Sequence, residues 1–229
     1  MIFNARRISE CMVVATVAVL GACGTTPDTQ SGTEQELNRA QATLNNFQKD
    51  PEMRWFRDHV KDARAVLISP RVTRAGFVVG GSGGEAIVLA RDGKSTRWVG
   101  PAFYNMGSGS VGFQIGVDVS EVVMLVMSDK GLNALLSPEF TLGGDLSVAA
   151  GPVGIGASSS VTTDLISYAR SKGAYAGISL AGAVIRPDTA ANEAYYGKSA
   201  SPVDILVRKN VDNPTSASLR ESLTRMAGR

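Results

Sequence analysis

The sequence predicts an α+β domain: a curved, mostly antiparallel β-sheet or partly closed barrel with flanking N- and C-terminal helices. Three observations carry that prediction. Apolar residues recur every three or four positions near both ends of the chain, as in Leu37, Ala40, Leu44 and Phe47 and again in Leu219, Leu223 and Met226. Between about Gly76 and Asp188 the period falls to two, as in Val111, Phe113, Ile115, Val117 and Val119. Glycines interrupt the period-two segments, where they let a sheet bend or a second backbone approach. With 229 residues, 44% hydrophobic and 19% charged, the chain has the composition of one globular domain plus a tail, and wholesale disorder is excluded. A formal charge of +2, with basic residues dispersed, argues against nucleic acid as a partner.

The N-terminus has the layout of a signal peptide. Arg6 and Arg7 precede the apolar run Met12 to Leu20, which at roughly ten residues is half the length a membrane-spanning helix needs. Leu20, Gly21, Ala22 and Cys23 resemble the lipobox of bacterial lipoproteins. The resemblance implies cleavage before Cys23 and lipidation of its thiol and new amino terminus. It also implies outer-membrane placement, because Gly24 rather than Asp follows. The domain would then stand in the periplasm or at the cell surface. The other reading of the segment is a buried first helix with a core cysteine. Residues 1–22 are thus expected to be the signal peptide and residues 23–35 a lipidated, extended tether, "GTTPDTQSGTEQ" being polar and turn-rich. Residues 36–229 make up the domain. Cys11 leaves with the leader, so the mature chain has no disulfide.

The elements follow in order. A first helix is expected from Glu34 to Asn46. Asp50-Pro51 is an N-cap followed by proline in the first turn, which starts a second helix running to about Val66. On that helix Met53, Phe56, Val60 and Leu67 form an apolar stripe, while Arg54, Arg57, Lys61 and Arg64 recur at three, four and three. Four cations on one face, with Trp55 and Phe56 placed to insert, describe a lipid-contact surface, each cation contributing about 1 kcal/mol near anionic headgroups. The same pattern describes a solvated face with Asp58 and Asp62 as local ion pairs.

"GFVVGGSGGEAIVLARD", Gly76 to Asp92, is expected to be a hairpin whose glycines form the corner and bind nothing. A phosphate loop needs Lys and Ser or Thr after its last glycine at a helix start, and a dinucleotide fingerprint needs a following helix; Glu85 and an apolar strand come instead. Asp92-Gly93 is a second turn. Ser110 to Ser128 reads as strand, its "EVVMLVMS" part buried on both faces. Asp129 to Pro138 is a short helix, and 142–157, 161–171 and 173–188 return to strands. Pro214 to Arg229 is an amphipathic helix that either packs on the domain or forms a tail.

Catalytic chemistry finds little support. His59 is the sole histidine and sits among Arg57, Asp58 and Lys61, so a Ser-His-Asp relay has no base placed for it. A zinc site needs several Cys or His ligands. Asp118 and Glu121 flank a strand end, where turn and edge roles are ordinary. No enzyme activity, catalytic residue, metal or cofactor is expected.

The segment from about Ala63 to Val207 resembles the SYLF domain family. The resemblance rests on "AGFVVGGSGGEAIVLAR" (75–91), "WVGPAFYNMGSGSVGFQIGVDVSEVVMLVM" (98–127), "AAGPVG" (149–154), "SYARSKGAYAGISLAG" (167–182) and "NEAYYG" (192–197), five blocks in order. Arg97-Trp98 stands where the family commonly has two tryptophans. Membership implies a non-catalytic domain that binds phosphoinositides or other phospholipids, and actin in the fungal members. The site residues expected are Cys23 for lipidation and Arg54, Trp55, Phe56, Arg57, Lys61 and Arg64 for phospholipid. The alternative is an envelope module that binds proteins and no lipid beyond its own anchor.

Overall fold

The computed structural model describes residues 29–76, 79–93, 95–111, 116–151, 163–171, 174–175 and 180–228. The expected signal segment and Cys23 lie outside the described residues. Helix α1 spans Gln30–Lys49. Thr29 is extended, and its hydroxyl accepts a hydrogen bond from the Gly32 N–H at 3.1 Å, satisfying one orphan donor of the first turn. The extended tether expected to reach Gln35 therefore ends earlier, because residues 30–35 are the first turns of α1, with Gly32 and Thr33 buried. Leu37, Ala40, Leu44 and Phe47 are all buried, as the spacing predicts.

Asp50 ends α1, since a residue before proline is driven to extended backbone. The second helix is shorter than expected. A 3₁₀ turn (Pro51–Met53), a six-residue α2 (Arg54–His59) and another 3₁₀ turn (Val60–Asp62) replace one helix to Val66. Ala63 is extended, and β1 (Ala65–Gly76) begins at once. Ala65 pairs with Ala90 on one side and Val126 on the other, so ladder hydrogen bonds on both flanks replace helical ones.

β1 is followed by β2 (Val79–Arg91), β3 (Trp98–Val111), β4 (Gly116–Val126), α3 (Asp129–Leu135), β5 (Phe140–Thr141), β6 (Val148–Ala150), β7 (Leu165–Ser171), β8 (Ala174–Tyr175) and β9 (Val184–Pro187). The strand order is β5-β9-β3-β2-β1-β4-β7-β6, with β8 on β7. Among the described residues every strand pairing is antiparallel except β6 with β7. The chain closes with α4 (Thr189–Tyr196), a π-helical turn (Val203–Arg208), a 3₁₀ turn (Pro214–Ser216) and α5 (Ala217–Ala227).

Alternation along the strands separates two cores. Val66, Ile68, Ile87, Leu89, Phe103, Val123, Leu125, Ile166 and Tyr168 meet α1, α2, α4 and α5 in one cluster. Leu67, Val88, Tyr104, Val122 and Met124 face the other side. That second cluster also gathers Phe140 and Leu142 near one edge of the sheet and Leu165 and Ala169 near the opposite edge, so the sheet curls around it. The α+β class and the curled, mostly antiparallel sheet are as the sequence predicts. Val122 to Val126 are all buried, as expected of a strand covered on both faces. In α5, Leu219, Leu223 and Met226 are buried, so the C-terminal helix packs on the domain.

The glycine stretch departs from expectation. Gly80 to Gly84 form no corner; they lie within the continuous strand β2, Gly81 and Gly83 pairing with Ala75 and Thr73 of β1 and with Gly109 and Gly107 of β3. β1 carries an irregularity between Ile68 and Thr73, and a Cβ on Gly84 would stand 2.3 Å from the Arg71 carbonyl oxygen. The missing side chain lets the bulged backbone of β1 cross β2. The β1–β2 connection at 77–78 and residues 112–115 of the expected long strand lie outside the described residues. The Asp92-Gly93 turn is as expected, with Gly93 at φ +60° and the Asp92 N–H bonded to the Arg97 carbonyl at 2.9 Å. Of the strand expected over 142–157, Val148–Ala150 is strand, and residues 152–162 lie outside the described residues. Helix α4 lies where the sequence patterning predicts no helix; Asp188 caps it and Gly197, at φ +68°, stops it.

Candidate functional site

The expected lipid site falls where α2 folds back across the end of α1. Asp50 makes that fold. Its N–H bonds to the Asn46 carbonyl at 3.1 Å and closes α1, while its Oδ1 accepts from the Glu52 N–H at 3.0 Å and opens the next turn. Arg57 then reaches back, and its Nη1 donates to the carbonyls of Asp50 and of Gln48, the latter at 3.4 Å. A guanidinium on carbonyls left orphan at a helix C-terminus favours the helix dipole. Beside it opens a cleft of about 140 Å³ lined by Gln48, Arg57, Asp58, Lys61 and Met226.

The four expected cations do not share one helix face, because α2 ends at His59 and the chain is extended by Ala63. Arg54 lies 3.7 Å from Asp58 and Arg64 3.2 Å from Asp129, both pairs solvated. Each such pair contributes about 0–1 kcal/mol. Among the described residues, Arg57 and Lys61 have no carboxylate partner. These two are the cations that line the cleft.

Trp55 and Phe56 are not placed to insert. Phe56 is fully buried, edge-on to Phe47 with centroids 5.9 Å apart and to Tyr168 at 5.5 Å. Trp55 is buried and stacked on His59 at 3.7 Å with 7° between the planes, and His59 Nδ1 donates to the Trp55 carbonyl at 2.8 Å. Burying such a side chain contributes about 1.5–3 kcal/mol, and a two-turn helix wedged between α1, α5 and the sheet satisfies that inward. Cys23, the expected lipidation site, lies outside the described residues.

Two features escaped the sequence reading. The first is Arg170 on β7, with only 12% of its side chain exposed. Its Nε donates to Asp50 Oδ2 at 3.1 Å and its Nη1 to Glu121 Oε2 at 3.2 Å, while its guanidinium lies 5.7 Å from the centre of the Phe47 ring. Glu121 Oε1 accepts from Thr43 Oγ1 and Asn46 Nδ2, both at 2.9 Å. One cation thus ties α1, the Asp50 turn, β4 and β7 together. No local pattern marks it, since Asp50 is 120 residues away.

The second is Glu36 in α1, a buried carboxyl whose Oε1 has no hydrogen-bond partner among the described residues. Burial, and then Glu85 and Asp188, push it up to about 8, with Arg39 opposing. Asp118 is held below the usual carboxylate range by the hydroxyls of Ser171 and Ser120, which donate at 2.7 and 2.8 Å. Among the described residues, no three His, Cys, Asp or Glu side chains are grouped to hold a metal ion.

Together the curled sheet, the helical layer and the cleft define an α+β domain with a small basic cleft and an internally charged framework. Residues 107–226 match the family Ysc84, described as "Las17-binding protein actin regulator". The chain belongs to this family, the one its five SYLF blocks resemble. The SH3 domain-containing YSC84-like protein 1 of Bos taurus is 35% identical over 142 residues, covering 59% of this chain and 41% of that protein. Protein YSC84 of Saccharomyces cerevisiae is 30% identical over 188 residues, 76% of this chain and 39% of that protein. An SH3 domain-containing protein of Schizosaccharomyces pombe is 34% identical over 137 residues, 57% of this chain and 32% of its own length. The chain spans about two fifths of the length of the curated relatives it matches.

Proposed function

We propose that this protein is an outer-membrane lipoprotein, anchored through acylated Cys23, whose SYLF domain binds anionic phospholipid headgroups at the cleft and performs no catalysis. The observation that supports the reading is the pair Arg57 and Lys61, two cations without carboxylate partners among the described residues, which line one cleft together with Asp58, the partner of the solvated Arg54. Contact is electrostatic and peripheral, because Trp55 and Phe56 are committed to the core. The anchor supplies residence on the membrane and the cleft supplies headgroup selection. No helix among the described residues is long and apolar enough to cross a membrane.

Co-sedimentation tests this with the full chain carrying Cys23→Ala, which removes the acyl anchor, and vesicles of phosphatidylcholine alone or mixed with phosphatidylglycerol. Binding should favour the anionic vesicles, and Lys61→Glu with Arg54→Glu should weaken it by about tenfold or more, each charge near the surface contributing about 1 kcal/mol. Equal binding to both vesicles, or no effect of the double reversal, removes the headgroup site. A second reading, in which the domain is a protein-binding module, draws on the relatives' family description as a Las17-binding actin regulator. Co-sedimentation with actin filaments in the absence of vesicles would favour it.

A further inference from the structure

Helix α1 is fastened unequally along its length. From Thr43 onward it is held by the Thr43 and Asn46 bonds to Glu121, by Arg170 on Asp50 and by Arg57 on its last carbonyls. Near its middle, Gln41 Nε2 donates to the Ser222 hydroxyl of α5 at 3.2 Å. Toward the N-terminus Gly32, Thr33, Glu36, Leu37 and Ala40 are buried, and the charged group among them is Glu36, 7% exposed. Its Oε1 is sealed from solvent and makes no hydrogen bond among the described residues.

The charges acting on Glu36 are mainly acidic, and the cations of β1, the strand packed under α1, are Arg71 and Arg74, both exposed. Glu85 approaches from β2 and Asp188 from the N-cap of α4, and the opposing cation is Arg39 of α1 itself. β3 contributes neutral Asn105, whose amide is given to Asp188 at 2.7 Å. Arg186 of β9, the cross-strand neighbour of Asn105, is paired with Glu139 at 2.5 Å. α5 presents the Ser218 and Ser222 hydroxyls to Gln41. Ionised, Glu36 would carry its charge on a largely buried carboxyl whose Oε1 is sealed from solvent without a donor, in the field of two other carboxylates, and that disfavours the charged form.

We infer that the N-terminal half of α1, Gln30 to about Ala40, is a pH-sensitive latch: protonated Glu36 lets it close on the sheet, and ionisation of Glu36 against Glu85 and Asp188 releases it while Thr43 to Lys49 stay in place. The inference is independent of lipid binding. Release converts helix, at about 1.5 Å per residue, into chain that extends up to about 3.5 Å per residue, so the segment joining the domain to whatever precedes residue 30 lengthens.

The direction follows from proton linkage. The carboxyl, pushed up to about 8 by burial when closed, returns on release to the ordinary 4.5. The closed form therefore holds its full advantage below about 4.5 and loses it as pH rises to about 8, by up to about tenfold per pH unit, with no further loss above.

Amide hydrogen exchange on the full chain between pH 5.5 and 9, corrected for intrinsic rates, reads this directly. Protection of Thr33 to Ala40 should fall by about tenfold per unit up to pH 8 and then level, while Thr43 to Lys49 keep theirs. In Glu36→Gln, which mimics the protonated acid in shape, protection of the first half should be independent of pH. Protection of Thr33 to Ala40 that does not change with pH overturns the latch. So does an equal fall in both halves, which is global unfolding, or a Glu36→Gln variant that keeps the wild-type profile.

Discussion

The two ends of α1 solve the same problem in opposite ways. Both bring a carboxylate into the interior of the domain. At the C-terminal end Asp50 and Glu121 are answered by Arg170 and by neutral donors, and the region is a closed network of charge-assisted bonds. At the N-terminal end Glu36 Oε1 meets no hydrogen-bond donor among the described residues, and Arg39 opposes the push of burial, Glu85 and Asp188 that raises its carboxyl to about 8. Burial alone does not decide whether an acid fastens or loosens a helix; the groups around it do.

The comparison breaks first at Arg170. Arg170→Met keeps most of the side-chain volume but strands two carboxylates, so it should cost about 3–5 kcal/mol by urea denaturation. A loss below about 1 kcal/mol would mean the network is ornamental and the two ends of α1 are alike. Next is Gly151, whose Cβ, if present, would lie 2.0 Å from the Tyr168 ring. Tyr168 packs on Phe56 at the same end of the domain, so Gly151→Ala should push that contact apart and cost about 1–3 kcal/mol. Thermal unfolding followed by tyrosine and tryptophan fluorescence would report it, with an unchanged midpoint counting against the packing argument. Smallest is the solvated pair at the rim of the cleft: Arg54→Ala should change stability by no more than about 0.5 kcal/mol while weakening anionic-vesicle binding. A larger stability loss would make Arg54 part of the framework and not of the surface.

Much of the architecture was legible before any coordinates. The three-and-four spacing of Leu37, Ala40, Leu44 and Phe47 placed α1 and its buried face. Asp50-Pro51 placed the start of the next helical turn, and the doubly apolar run at Val122 placed the strand covered on both sides. The candidate site was legible as a set of residues but not as an arrangement. Arg57 is expected on a lipid-facing stripe of cations and also caps α1, Arg64 is expected on a helix that ends before it, and Trp55 and Phe56 are expected to insert but are buried. For Arg64 the cause is a helical period carried past the point where β1 pairing begins, and for Trp55, Phe56 and Arg57, which do lie on the helix, it is the tertiary packing that turns them inward or back onto α1.

By itself, then, the amino-acid sequence determined where the chain is helical or extended over most of its length, which faces are apolar, and where Asp92-Gly93 turns, because these depend on neighbours within about four positions. The tertiary structure alone decided that Gly80 to Gly84 run straight beneath a bulge of β1 instead of turning. It alone joined Arg170 to an aspartate 120 residues away and left Glu36 among acids. The reason is physical: hydrogen-bond partners, close backbone approach and the field at a buried charge are set by distances across the sheet, and no spacing along the chain encodes them.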